Sequence, residues 1–123
     1  MPTILVVDDE ESVRRALQKI LERGGMSVIS AASAAEALSL VDGGRNVDAV
    51  VSDVLMPGMS GLAFYDELIR RSPALLRRVI FLTGAAQDPA VYCSIEQRGV
   101  PLISKIDDLM LVLDAIRVSL LHP

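Results

Sequence analysis

Short apolar runs alternate with amphipathic segments along the whole chain, and this alternation restricts the fold more than any other feature. The first run, Thr3–Val7, is apolar almost throughout, which is typical of a strand covered on both faces. The segment after it repeats its apolar residues at helical spacing, at Val13, Ala16, Leu17, Ile20 and Leu21. The chain therefore begins with a strand, an acidic turn and a helix.

This strand–helix unit occurs five times along the chain. The pattern predicts strands over residues 3–7, 26–30, 49–52, 78–82 and 102–103, each followed by a helix. Ser33 and Glu36 form a capping box for the second helix, Asp88 and Pro89 open the fourth, and Asp107-Asp108 caps the last. Such alternation selects an α/β fold with a doubly wound parallel sheet. We expect one domain over residues 1–123.

Charge and composition restrict the partners. The net charge of −4 argues against binding to a phosphate backbone, so no nucleic-acid contact is predicted. The single cysteine, Cys93, cannot form an internal disulfide and is predicted to be a small, mostly buried residue. No basic apolar leader or membrane-length run is found, which predicts a cytoplasmic protein without a membrane contact.

Polar side chains follow four of the predicted strands. Asp8 and Asp9 come after the first strand, Asp53 after the third, Thr83 after the fourth and Lys105 after the fifth. The carboxyl ends of parallel strands meet at one edge of the sheet, where open α/β folds bind their ligands. We therefore expect these five side chains to share one crevice.

Three carboxylates in one crevice repel each other unless a cation joins them, and a hard divalent ion such as Mg²⁺ suits an all-oxygen set. With the cation present, Asp53 can act as a nucleophile toward phosphorus and form an aspartyl phosphate. Lys105 and Thr83 can then hold phosphoryl oxygens. Each motif alone is an ordinary helix start or turn residue, so the interpretation depends on their joint occurrence.

In this order and spacing, the site residues resemble the receiver domain of two-component response regulators. The likeness rests on Asp8-Asp9, Asp53 with Met56-Pro57-Gly58 and Gly61, Leu82-Thr83-Gly84, and Lys105. It implies a flavodoxin-like (βα)5 fold with strand order 2-1-3-4-5. It also implies that Asp53 receives phosphate from a histidine kinase or histidine phosphotransfer protein, in a signalling domain that is not an enzyme. Asp8, Asp9, Asp53 and the Leu55 carbonyl would hold Mg²⁺.

The chain departs from the family pattern at two places. Ile106 follows the lysine where many receivers have proline, and Leu102 stands where an aromatic switch residue is common. We expect a weak or absent aromatic switch, as in receivers of hybrid histidine kinases. Leu55 and Ala85 flank the attack path and cannot orient water, so slow dephosphorylation is predicted.

Alternative functions remain open at this point. A Mg²⁺-dependent phosphohydrolase of the haloacid dehalogenase type would also form an aspartyl phosphate, but its two acids lie two residues apart and a cap is usual. A receiver-like interaction module without phosphate is a third interpretation.

Excess apolar residues in the last helix indicate either scattered surface leucines or a homodimer surface; these residues are Met110, Leu111, Val118 and Leu121.

Overall fold

The computed structural model describes residues 1–84, 89–105 and 109–121. Within these ranges the strands are β1 (Thr3–Val7), β2 (Ser27–Ala31), β3 (Ala49–Asp53), β4 (Val79–Thr83) and β5 (Leu102–Ser104). The helices are α1 (Glu11–Arg23), α2 (Ala34–Asp42), α3 (Gly61–Arg71), α4 (Pro89–Arg98) and α5 (Met110–Ser119), and Pro73–Leu75 forms a 3-10 turn. None of the helices seen there is long and apolar enough to cross a membrane.

The strands form one parallel sheet in the order β2-β1-β3-β4-β5, which confirms the predicted fold and topology. Alternate residues of β1 point to opposite faces, as the twofold period of a strand requires. Ile4 and Val6 pack with α1 and α5, whereas Leu5 and Val7 belong to the core that α2, α3 and α4 cover. Helices thus cover both faces of the sheet, and the carboxyl ends of the strands are where a functional site can form.

Local expectations agree with the structure except at a few positions. Strand β2 begins and ends one residue later than predicted, and the capping box of α2 forms, with Ser33 accepting a hydrogen bond from the Glu36 amide. The predicted caps Asp88 and Asp107-Asp108 lie outside the described residues. The prediction for Cys93 is wrong: the side chain is exposed, because the described part of α4 buries only Ile95.

Candidate functional site

Asp53 ends the central strand β3, whose five residues are all buried. The residue is only 5% exposed, and its Oδ1 accepts a hydrogen bond of 3.1 Å from the Leu55 amide. The chain then turns at Gly58, whose φ of +85° is a conformation that glycine adopts without strain. A rigid strand followed by a tight turn thus presents one carboxylate at the edge of the sheet.

The acids after β1 lie beside Asp53 because β1 and β3 are neighbouring parallel strands. Asp8 is completely buried, and its Oδ1 accepts a hydrogen bond of 2.9 Å from the Glu10 amide. Arg14, one turn into α1, donates from Nη1 to the Asp8 carbonyl oxygen at 2.7 Å. Asp9 is exposed. The loop after β1 is therefore held by hydrogen bonds to both the backbone and the side chain of Asp8.

Four carboxylates converge at this edge and form what we call the acid cluster: Asp8, Asp9, Glu10 and Asp53. One oxygen from each lies within 4.8 Å of all the others. Two members are buried and two are exposed, so the cluster is open on one side only. Such a concentration of negative charge needs a compensating cation.

Lys105 supplies part of that compensation. Its Nζ lies 2.9 Å from Asp8 Oδ2, 2.9 Å from Asp53 Oδ2 and 3.1 Å from Glu10 Oε1. Its main-chain amide donates to the Thr83 carbonyl at 2.8 Å, which ties the end of β5 to the end of β4. Burial by itself lowers the pKa of Lys105, but the three carboxylates outweigh burial and raise it above the usual value.

Asp8 experiences opposing influences. Burial raises the pKa of its carboxyl, and the nearby Asp53 charge raises it further. The hydrogen bond from the Glu10 amide and the Lys105 ammonium lower the pKa, but the net shift is upward. Asp8 Oδ2 forms an ion pair with the Lys105 ammonium at 2.9 Å, and no further group among the described residues donates a hydrogen bond to it. A carboxylate oxygen has two lone pairs, so Asp8 Oδ2 retains capacity for a further ligand.

The donor set fits Mg²⁺. Every ligand atom that the acid cluster offers is a carboxylate oxygen, which hard divalent cations prefer, and its two exposed members leave room for coordinating water. Asp8 Oδ2, which accepts no hydrogen bond beyond its ion pair with Lys105, has capacity to bind a cation. The residues therefore match the predicted metal site in chemistry, and the role of the Leu55 carbonyl stays a prediction.

The structure brings together Asp8, Asp9, Asp53 and Lys105, as the sequence predicts. Thr83 is buried at the end of β4, one residue beyond Leu82, the register partner of Asp53. Leu55 exposes its side chain beside the acid cluster, while Ala85 and Ile106 lie outside the described residues.

Two contributors to the site were missed from the sequence, Glu10 and Arg14. Glu10 is the third acid of a consecutive run that begins at Asp8, and this run was the sequence signal that could have identified it as a site residue. No sequence pattern marks the contact from Arg14 to the Asp8 carbonyl.

Comparison with known proteins identifies the family. Residues 4–117 match the family model described as the response regulator receiver domain. The chain belongs to this family. The receiver domain is 36% identical over 107 residues to the C4-dicarboxylate transport transcriptional regulatory protein DctD of Rhizobium meliloti, covering 85% of the chain and 22% of DctD.

It is also 41% identical over 87 residues to the sensor kinase CckA of Brucella abortus, covering 70% of the chain and 9% of CckA. The receiver domain thus spans less than a quarter of the length of either relative.

Solved structures show the same architecture. The response regulator TrrA of Thermotoga maritima, solved in complex with Mg²⁺ and BeF, superimposes with a TM-score of 0.83 at 27% identity. The alignment covers 97% of this receiver domain and 99% of TrrA.

Proposed function

We propose that Asp53 accepts a phosphoryl group from a phosphohistidine of a sensor histidine kinase or a histidine phosphotransfer protein. A carboxylate oxygen of Asp53 attacks phosphorus, the P–N bond breaks, and its electron pair stays with the departing imidazole. The observation that carries the proposal is the nearly buried Asp53 carboxylate, which lies within the acid cluster and 2.9 Å from the Lys105 ammonium.

The remaining residues neutralise and orient charge on the transferring group. Lys105 Nζ already contacts Asp53 Oδ2 and would pair with a phosphoryl oxygen. The Thr83 hydroxyl and the amides near Gly84 would hold another. Asp8, Asp9, Asp53 and the Leu55 carbonyl would hold Mg²⁺, which when bound neutralises phosphoryl charge. TrrA, solved with Mg²⁺ and BeF, supports this assignment by analogy.

The phosphorylated state would be a signal or a relay intermediate, with no turnover of a separate substrate. Leu55 offers no group that could orient a hydrolytic water, which supports slow loss of phosphate.

One receiver domain over residues 1–123 in the cytoplasm, without a nucleic-acid or membrane contact of its own, is part of the proposal. The likeness to CckA supports a receiver within a hybrid kinase, and the likeness to DctD supports a transcriptional regulator.

A second copy of the chain is proposed as a further partner, bound through α5. Four large apolar side chains on this helix and its C-terminal turn are between 46% and 82% exposed: Met110, Leu111, Val118 and Leu121. The inner face of the same helix is fully occupied by the core through Val112, Leu113 and Ile116. The outer residues therefore form a separate apolar surface, which we call the α5 stripe, of the kind that marks contact sites.

Treatment with acetyl phosphate and Mg²⁺ tests the phosphoacceptor role. The expected product gains the mass of one phosphoryl group on the peptide that contains Asp53, and hydroxylamine removes it. Asp53→Asn abolishes the adduct, whereas Asp114→Asn on the exposed face of α5 retains it. An adduct elsewhere, or none, contradicts the proposal, and steady turnover of a phosphomonoester would favour the phosphohydrolase instead.

A further inference from the structure

Glu10 is the member of the acid cluster that no proposed role uses. Its Oε1 lies 3.1 Å from Lys105 Nζ, and the same ammonium lies 2.9 Å from Asp8 Oδ2 and 2.9 Å from Asp53 Oδ2. The exposed fractions of the side chains are 0% for Asp8, 7% for Asp53 and 56% for Glu10. The ammonium thus lies between two buried acids and one acid at the solvent boundary.

The buried contacts of the lysine conflict with a metal site. Lys105 approaches Asp8 Oδ2 and Asp53 Oδ2, and these two residues are proposed ligands of Mg²⁺. An ion held by these two residues would repel the nearby ammonium, so its binding is expected to weaken the contacts of the lysine with Asp8 and Asp53. Its side chain is only 10% exposed, and a mostly buried ammonium without a carboxylate partner is strongly unfavourable.

We propose that Glu10 is a positioning residue that retains the Lys105 ammonium when a divalent cation occupies the acid cluster. This inference rests on the proposed magnesium site. Glu10 is well placed for the role because its own amide donates to Asp8 Oδ1 at 2.9 Å, which fixes its backbone beside the site. Its carboxylate holds the lysine at the rim, within reach of a phosphoryl group on Asp53, and lowers the penalty for cation binding.

A double-mutant cycle on Mg²⁺ affinity separates this role from direct ligation. Binding isotherms are measured by calorimetry at constant ionic strength for the wild type, Glu10→Gln, Lys105→Met and the double variant. Glu10→Gln is expected to weaken Mg²⁺ binding roughly five-fold in the wild-type background and less than about two-fold in Lys105→Met. Glu11→Gln removes the neighbouring charge, which pairs with Arg15 on the surface, and is expected to weaken binding less than about two-fold.

Lysine labelling gives a second readout that does not depend on the Lys105→Met variant. The chain contains two lysines, and the exposed Lys19 serves as an internal standard for acetylation by acetic anhydride, quantified by peptide mass. At saturating Mg²⁺, the ratio of the Lys105 acetylation rate to the Lys19 acetylation rate should be several-fold higher in the Glu10→Gln variant than in the wild type. Glu11→Gln should leave this ratio unchanged.

Equal weakening of Mg²⁺ binding by Glu10→Gln in both backgrounds would identify a direct ligand and overturn the proposal. So would an effect no larger than that of Glu11→Gln, or an unchanged Lys105 labelling ratio. If the wild type shows no saturable Mg²⁺ binding, the proposed magnesium site fails and this role for Glu10 fails with it. Binding without coupling to Lys105 overturns the role alone.

Discussion

At the residue scale, Gly61 is required by close packing against the backbone at the end of β3. A Cβ at this position would lie 2.4 Å from the Asp53 carbonyl oxygen and 2.8 Å from the Val54 Cα, both backbone atoms that cannot rotate away. The Gly61 amide also donates to the Val54 carbonyl at 2.7 Å. Gly61→Ala is expected to lower the free energy of unfolding by about 1–3 kcal/mol, measured by urea denaturation.

Gly84→Ala is the matched control, because within the described part of the chain the added Cβ would meet only the Lys105 Cδ at 3.5 Å, an ordinary contact. Its free energy of unfolding should stay within about 0.5 kcal/mol of the wild type. Equal stability of the two variants would contradict the packing argument.

The predicted and the missed site residues differ in how they reach the site. Asp8, Asp53 and Lys105 could be predicted because the backbone of a parallel sheet places strand ends together whatever the side chains do. Glu10 and Arg14 contribute through side-chain reach, with Glu10 contacting Lys105 and Arg14 contacting a carbonyl. Those contacts depend on rotamers in the folded state, which spacing along the chain does not determine.

At the element scale, α4 is tied to α3 by Arg98 and Asp66, with distances of 3.0 Å and 2.7 Å between the paired atoms. The hydrogen bonds from Arg98 lower the pKa of Asp66 below its usual value. Asp66→Asn should reduce the free energy of unfolding by about 0.5 kcal/mol at pH 7, a value limited by solvent exposure of the pair. Because the folded-state pKa is the lower one, the loss should be constant from pH 7 to 5 and shrink as pH falls below the unfolded value.

Urea denaturation at pH 7, 5 and 3 measures this dependence. Glu96→Gln removes an acidic charge from α4, the helix that carries Arg98, where the described structure shows no ion pair for it, and should have a smaller effect at pH 7. A loss for Asp66→Asn that grows with acidity would contradict the assigned sign.

The element order was predictable because the inner strands β1, β3 and β4 are buried almost throughout and appear in the sequence as apolar runs, while the edge strands β2 and β5 are partly buried. The position of Cys93 was not predictable in this way. Its helix, α4, packs through a narrow contact at Ile95, and the remaining residues have little periodic pattern from which an inner face could be assigned. A small apolar residue on such a helix is as compatible with solvent as with the core.

At the scale of the whole molecule, charge on the α5 stripe indicates how a second copy would bind. Asp114 and Arg117 lie among the exposed apolar residues, and neither forms an ion pair within the described part of the chain. In an antiparallel pair of α5 helices, a two-fold axis near the middle places Asp114 opposite the second Arg117, and Met110 opposite the second Leu121. The arrangement brings two reciprocal ion pairs into one apolar contact.

Variants in which these two charges are exchanged test the pairing. Their association is measured by sedimentation velocity over a concentration series. Asp114→Arg should raise the dimer dissociation constant roughly ten-fold or more, because like charges would then face each other. The double variant Asp114→Arg with Arg117→Asp should return to within about three-fold of the wild type, since the pairs are restored in reverse. Glu96→Arg, on α4, controls for net charge and should leave association unchanged. A wild type that is monomeric at every concentration, or a double variant as weak as the single one, would rule out this mode of association.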